Sequence, residues 1–71
     1  MKVIIRLNIK RMQMQSGLTQ SELASRAGIS PSYLSDIERD KFTNPGVEIL
    51  CRIALALGCT LEDLVDYREV E

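Results

Sequence analysis

The side chains able to do chemistry in this chain are cations, amides and hydroxyls rather than the usual catalytic set. Histidine is absent, which removes the commonest general base and the commonest metal ligand together. The two cysteines, Cys51 and Cys59, fit neither a CxxC pair nor a zinc spacing. Eight residues along a continuous helix rise ~12 Å, too far for a disulfide. They read as buried small hydrophobes of a reduced, cytoplasmic protein. No carboxylate pair fit for acid–base work, no glycine-rich phosphate loop and no metal-ligand set is present, so neither an enzyme nor a cofactor is expected. What remains is charge. Residues 1–41 carry Lys2, Arg6, Lys10, Arg11, Arg26, Arg39 and Lys41 against Glu22, Asp36, Glu38 and Asp40, whereas residues 42–71 carry only Arg52 and Arg68 against six acids. The net charge of −1 hides this asymmetry, which directs any anionic partner to the N-terminal half.

A small framework must hold these cations. With 71 residues, 45% hydrophobic and 27% charged, the chain has the composition of one ordinary globular domain, 1–71, near the lower size limit for a self-sufficient core. Phe42, Tyr33 and Tyr67 are the only aromatics, so the core falls to Leu, Ile, Val, Ala and Met, a palette that suits short packed helices. No apolar run approaches the ~20 residues of a membrane span, and none resembles a signal peptide, so no membrane partner is expected.

The punctuation predicts five helices and two strands. The β-branched start, Lys2 to Leu7, predicts a short strand. Asn8 reads as the N-cap of a first helix over about Ile9–Ser16, with Leu7 and Met12 as a hydrophobic staple and Gly17 as the stop. Thr19 and Glu22 form a capping box, with Leu18 and Leu23 as the staple of a second helix that ends at Gly28. Ser30 followed by Pro31 opens a third helix to about Arg39. Asn44-Pro45 predicts the start of a fourth, with Val47, Leu50, Cys51, Ile53, Ala54 and Leu57 on its apolar side and Gly58 at its end. Thr60 and Asp63 cap a short fifth helix. The alternating Val65–Val70 predicts a strand that pairs with the first, bringing Val3 and Ile5 near Tyr67 and Val70.

Gln20, Ala24, Gly28, Leu34 and Ile37 stand at the first, fifth, ninth, fifteenth and eighteenth positions of a helix-turn-helix unit, about residues 19–39. Ala24 is small where two helices cross, Gly28 permits the turn, and Leu34 and Ile37 bury one face of the third helix. A larger residue at Ala24 or Gly28 is expected to push the helices apart. Together with Gly17 to Ala24, Ile37 to Arg39, Pro45 and Leu55 to Gly58, this pattern resembles the phage Cro and repressor type of transcription regulators over about residues 8–65.

The resemblance implies a mainly α-helical, five-helix, lambda-repressor-like DNA-binding domain with the terminal strand pair added. It also implies a sequence-specific regulator of transcription, a repressor on a palindromic operator. In that family the third helix enters the major groove of double-stranded DNA, which places Pro31, Ser32, Tyr33 and Asp36 at base-facing positions. Ser32 can donate or accept, Tyr33 can touch a thymine methyl, and Asp36 can accept from a cytosine amino group or else repel phosphate. Gln20 is implied on a phosphate oxygen, and Arg39, Lys41, Thr43 and Asn44 on the backbone after the third helix. One position departs from the family. Where an Arg normally pairs with the acid at Glu38, this chain has Gln13, leaving a single neutral hydrogen bond from Gln13, a substitute in Arg11 or Arg39, or a looser joint.

A module of this size covers roughly 600–1,000 Å² of DNA, and two half-sites ~34 Å apart double the contacts, so a homodimer is expected. The self-association surface should lie away from the basic half. The other reading is a protein-interaction module, such as an antitoxin or accessory factor, that reuses the fold to dock a protein. No small-molecule effector domain is expected, so regulation would come through dimerisation, concentration or a second protein.

Overall fold

The computed structural model describes residues 1–39 and 45–70. In chain order it places β1 (Lys2–Leu7), α1 (Ile9–Ser16), α2 (Gln20–Ala27), α3 (Pro31–Glu38), α4 (Val47–Leu57), α5 (Leu61–Leu64) and β2 (Val65–Val70). The expected mainly helical architecture with one strand pair is the observed one.

Helix boundaries follow the local chemistry closely. The Thr19 hydroxyl accepts from the Glu22 N–H, and the Glu22 carboxylate accepts from the Thr19 N–H at 3.0 Å. That backbone hydrogen bond, seconded by the hydroxyl, holds the Glu22 carboxyl below its usual range. Thr60 and Asp63 repeat the box at α5, again with the carboxyl lowered chiefly by the backbone N–H. The Ser30 Oγ accepts from the Tyr33 N–H at 3.1 Å, and Pro31 fills the first position of α3. Gly17, Gly28 and Gly58 close α1, α2 and α4 in the left-handed conformation, at φ of 77°, 73° and 72°.

Two expected starts are corrected. Asn8 does not cap α1: its φ of −100° and ψ of 26° lie outside the extended region a capping side chain needs, and no cap hydrogen bond forms. Its side-chain amide instead donates to Asp66 at 2.9 Å, and its backbone N–H donates to the Leu64 carbonyl at 2.8 Å. Asn8 therefore ties the strand pair to α5. Helix α4 begins at Val47 with Gly46 as its N-cap, not at Asn44-Pro45. The ψ of 154° at Gly46 is non-helical, which leaves buried Pro45 outside the helix, and Asn44 lies outside the described residues.

The core is Ile9, Leu23, Ala24, Ala27, Leu34, Ile37, Leu50, Ile53, Ala54 and Leu64, contributed by all five helices. Helix α2 packs on both α3 and α4, and α4 carries α1 and α5. Leu7 and Met12, the expected staple, pack partly buried against this core. Val47, assigned by its spacing to the apolar side of α4, is 67% exposed because it sits in the first turn, beyond the reach of the other helices. Both cysteines are free and half-buried rather than fully buried. At Cys59 desolvation first, and then the Asp63 charge, push the thiol pKa up, which disfavours the reactive thiolate.

Strands β1 and β2 form an antiparallel two-stranded ribbon in which Lys2 faces Val70, Val3 faces Glu69, Ile5 faces Tyr67 and Leu7 faces Val65. The expected neighbourhood holds for Ile5 and Tyr67, while Val3 meets Glu69 and Val70 meets Lys2. No helix among the described residues is long and apolar enough to cross a membrane.

Candidate nucleic-acid interface

The pair α2–α3 is built to present one face of α3. Ala24 has no exposed surface, so its methyl is all that fits where the two helices cross, and Leu34 and Ile37 anchor the inner face of α3. At Gly28 the constraint is different from the one expected. A Cβ there would meet nothing nearer than the end of the Arg52 guanidinium at 3.7 Å, so a methyl fits without pushing the helices apart, and what disfavours it is the positive φ. The Gly28 N–H donates to Ser25 at 3.2 Å and the Ile29 N–H to Ala24 at 3.0 Å, closing α2 and setting the turn into Ser30.

With its inner face fixed, α3 turns Pro31 and Ser32 to solvent at its N-terminal end. Tyr33 is half-buried, with its ring packed against the core, so only part of it remains for an outside contact. Asp36 is also half-buried, one turn along the same helix. Arg39 is exposed at the C-cap of α3. Lys41, Thr43 and Asn44 lie outside the described residues.

Gln20, the first residue of α2, is not a free amide. Its Nε2 donates to the Glu38 carboxylate at 3.4 Å, joining the start of α2 to the end of α3. Gln13, one of the candidates for Glu38, instead donates to the Leu18 carbonyl at 3.3 Å, and its own Oε1 is buried without a hydrogen-bond partner among the described residues. The physical reason is reach: Gln13 lies on the side of α1 facing the α1–α2 connection, where the Leu18 carbonyl offers a near acceptor.

Gln20, Ser35, Glu38 and Arg39 line a cleft of about 140 Å³ together with Lys10 of α1. Two cations, an amide and a hydroxyl against one carboxylate leave the cleft with a net positive charge, the character of a seat for one phosphate. The structure thus brings Gln20 and Arg39 together and adds Lys10, which sequence reasoning did not single out. The signal was present, since Lys10 and Gln13 are three residues apart and share a face of α1.

A helix-turn-helix family model matches residues 9–64. The chain is 38% identical over 60 residues to the transcriptional regulator SinR of Bacillus subtilis, covering 84% of this chain and 54% of SinR. It is 44% identical over 57 residues to the immunity repressor of Bacillus phage phi105, covering 80% of this chain and 39% of the repressor. It thus spans about half the length of the SinR it matches. The crystal structure of SinR in complex with DNA superposes with a TM-score of 0.74 at 38% identity, covering 78% of this chain and 87% of that one. Both relatives are named regulators of the type that the sequence pattern resembles, and this chain belongs to the helix-turn-helix family of Cro/C1-type transcriptional regulators.

Proposed function

We propose that the chain is a sequence-specific DNA-binding regulator of transcription, a repressor that holds a palindromic operator as a homodimer and acts in the cytoplasm. Residues 1–71 act as one DNA-binding domain, with 19–39 as its reading unit. The observation that carries this reading is the α2–α3 geometry. The inner face of α3 is locked by Leu34 and Ile37 while Pro31 and Ser32 stand clear at its N-terminal end, and a cationic cleft flanks it. That is the division between groove reading and backbone holding that duplex recognition requires.

In this reading Pro31, Ser32, Tyr33 and Asp36 face base edges. Gln20, Arg39, Lys41, Thr43 and Asn44 hold phosphates, with the Gln20 amide steadied by its hydrogen bond to Glu38. The likeness to DNA-bound SinR supports the placement of the same helix pair against a duplex.

Selection of bound duplexes from a random pool tests the reading. Enrichment of a motif with two-fold symmetry is the expected result. An asymmetric motif would remove the palindrome, and no enrichment above random duplex would remove sequence-specific binding altogether.

A further inference from the structure

The small cleft where α1, α2 and α3 meet is assembled from residues far apart in the chain. Lys10 comes from the first turn of α1, Gln20 opens α2, and Ser35, Glu38 and Arg39 come from the end of α3. Gln20, Ser35 and Glu38 are half-buried, whereas Lys10 and Arg39 are exposed, so water reaches both cations. Among the described residues neither cation takes part in an ion pair; the pair that forms there joins Arg52 to Glu48 on α4.

The geometry points to one ligand for this cleft: a single backbone phosphate of duplex DNA, held by Lys10 together with Gln20 and Arg39. The inference rests on the DNA-binding reading above and adds α1 to the surface that holds the duplex. Charge is the first argument. Two cations against one carboxylate leave the cleft at +1, which the single negative charge of one phosphodiester neutralises. Size is the second. At about 140 Å³ the cleft has room for a few waters at ~30 Å³ each, enough for a phosphate group and well short of the ~300 Å³ at which pockets for whole small molecules begin.

Position is the third. Ser32, Ser35 and Arg39 follow one another at helical spacing along α3, so the cleft continues the row whose exposed end is Ser32. Gln20 also brings the start of α2 to the cleft, and the backbone N–H groups of a helix start favour an anion. Lys10 itself supplies the fourth argument. It is the second residue of α1, where the helix dipole disfavours a cation, and no acid in that turn offsets it. A residue that works against its own helix is expected where something outside the helix uses it.

DNA titrations of the full chain and of Lys10→Ala, Lys10→Arg and Arg39→Ala at several salt concentrations test this, on random duplex and on the selected site. Lys10→Ala should lose about 10-fold in affinity for all duplexes alike and lower the salt slope by about one for each protomer bound, while Lys10→Arg keeps the slope. Its melting temperature should not fall, because alanine favours the helix and removes the conflict with the dipole. A series of selected duplexes, each with one neutral methylphosphonate, then asks whether the phosphate is shared: Lys10→Ala and Arg39→Ala should both lose sensitivity at the same position. Loss at two different positions, or a Lys10→Ala protein with wild-type affinity and slope, overturns the shared phosphate and leaves DNA binding standing. Weaker binding with an unchanged slope and a lowered melting temperature makes Lys10 a residue of the fold and overturns it too. Failure of sequence selection alone leaves the slope on random duplex as the deciding measurement, and a wild type that binds no duplex overturns both readings.

Discussion

Helix α3 and the β1–β2 ribbon both carry large apolar side chains and dispose of them differently. Helix α3 buries Leu34 and Ile37 completely and keeps its polar N-terminal end outside. The ribbon leaves Val3, Ile4, Ile5 and Tyr67 between 41% and 76% exposed. A helix has one apolar stripe, which a neighbouring helix covers in full. A two-stranded ribbon has two faces, and this one meets the bundle mainly at its base, through Leu7, Val65 and the Asn8–Asp66 hydrogen bond. The contrast teaches that the helix pair covers its own apolar side chains, while the ribbon leaves a large part of its own in water.

The contrast breaks most visibly in the core. Ile37→Ala should cost about 2–5 kcal/mol of stability, since a fully buried side chain leaves a cavity between α2 and α3. Ile4→Ala, on the ribbon face opposite Ile5 and Leu7, should cost about 1 kcal/mol or less because much of that side chain is already in water. Urea denaturation of the two variants compares them directly, and similar losses would mean that the ribbon is as well packed as the helices.

The DNA face should separate by mutation. Ser32→Ala should cost ~1–3 kcal/mol against the selected site and leave the salt slope unchanged. Arg39→Ala should weaken binding to all duplexes alike and lower the salt slope by about one for each phosphate no longer neutralised. Titrations at several salt concentrations read both. A sequence-independent loss in Ser32→Ala would place that hydroxyl on the backbone.

Gly28→Ala isolates the turn between α2 and α3. It should destabilise by about 1–2 kcal/mol from backbone conformation alone, because the space beside Gly28 is open. A much larger loss in thermal melting would indicate steric crowding instead.

The smallest effect belongs to the α2 cap. Thr19→Ala should cost about 1 kcal/mol at neutral pH. The Glu22 carboxyl is held below its unfolded value, so its contribution is present above the ordinary carboxylate range and lost as pH falls through the lowered folded value. The stability gap between wild type and Glu22→Gln should therefore close in acid, and a gap independent of pH would show that the charge of Glu22 is irrelevant to the cap.

The sequence by itself determined the elements whose signals are local. Thr19 with Glu22, Ser30 with Pro31, Thr60 with Asp63, and the glycines at 17, 28 and 58 specify helix ends within a few residues, because a cap is a hydrogen bond between near neighbours in the chain. The helix-turn-helix spacing from Gln20 to Ile37 was legible for the same reason. Tertiary structure decided what depends on distant partners. Asn8 has the residue type of a cap, yet Asp66, far along the chain, takes its amide. Gln20 turned to Glu38, and Lys10 joined the cleft beside Gln20, because α1, α2 and α3 meet there only once the core has closed. Val47 follows the helical apolar spacing but opens onto a groove whose other wall comes from the two ends of the chain. Periodicity reports which face of an element is apolar; only packing decides whether anything within the same molecule covers it.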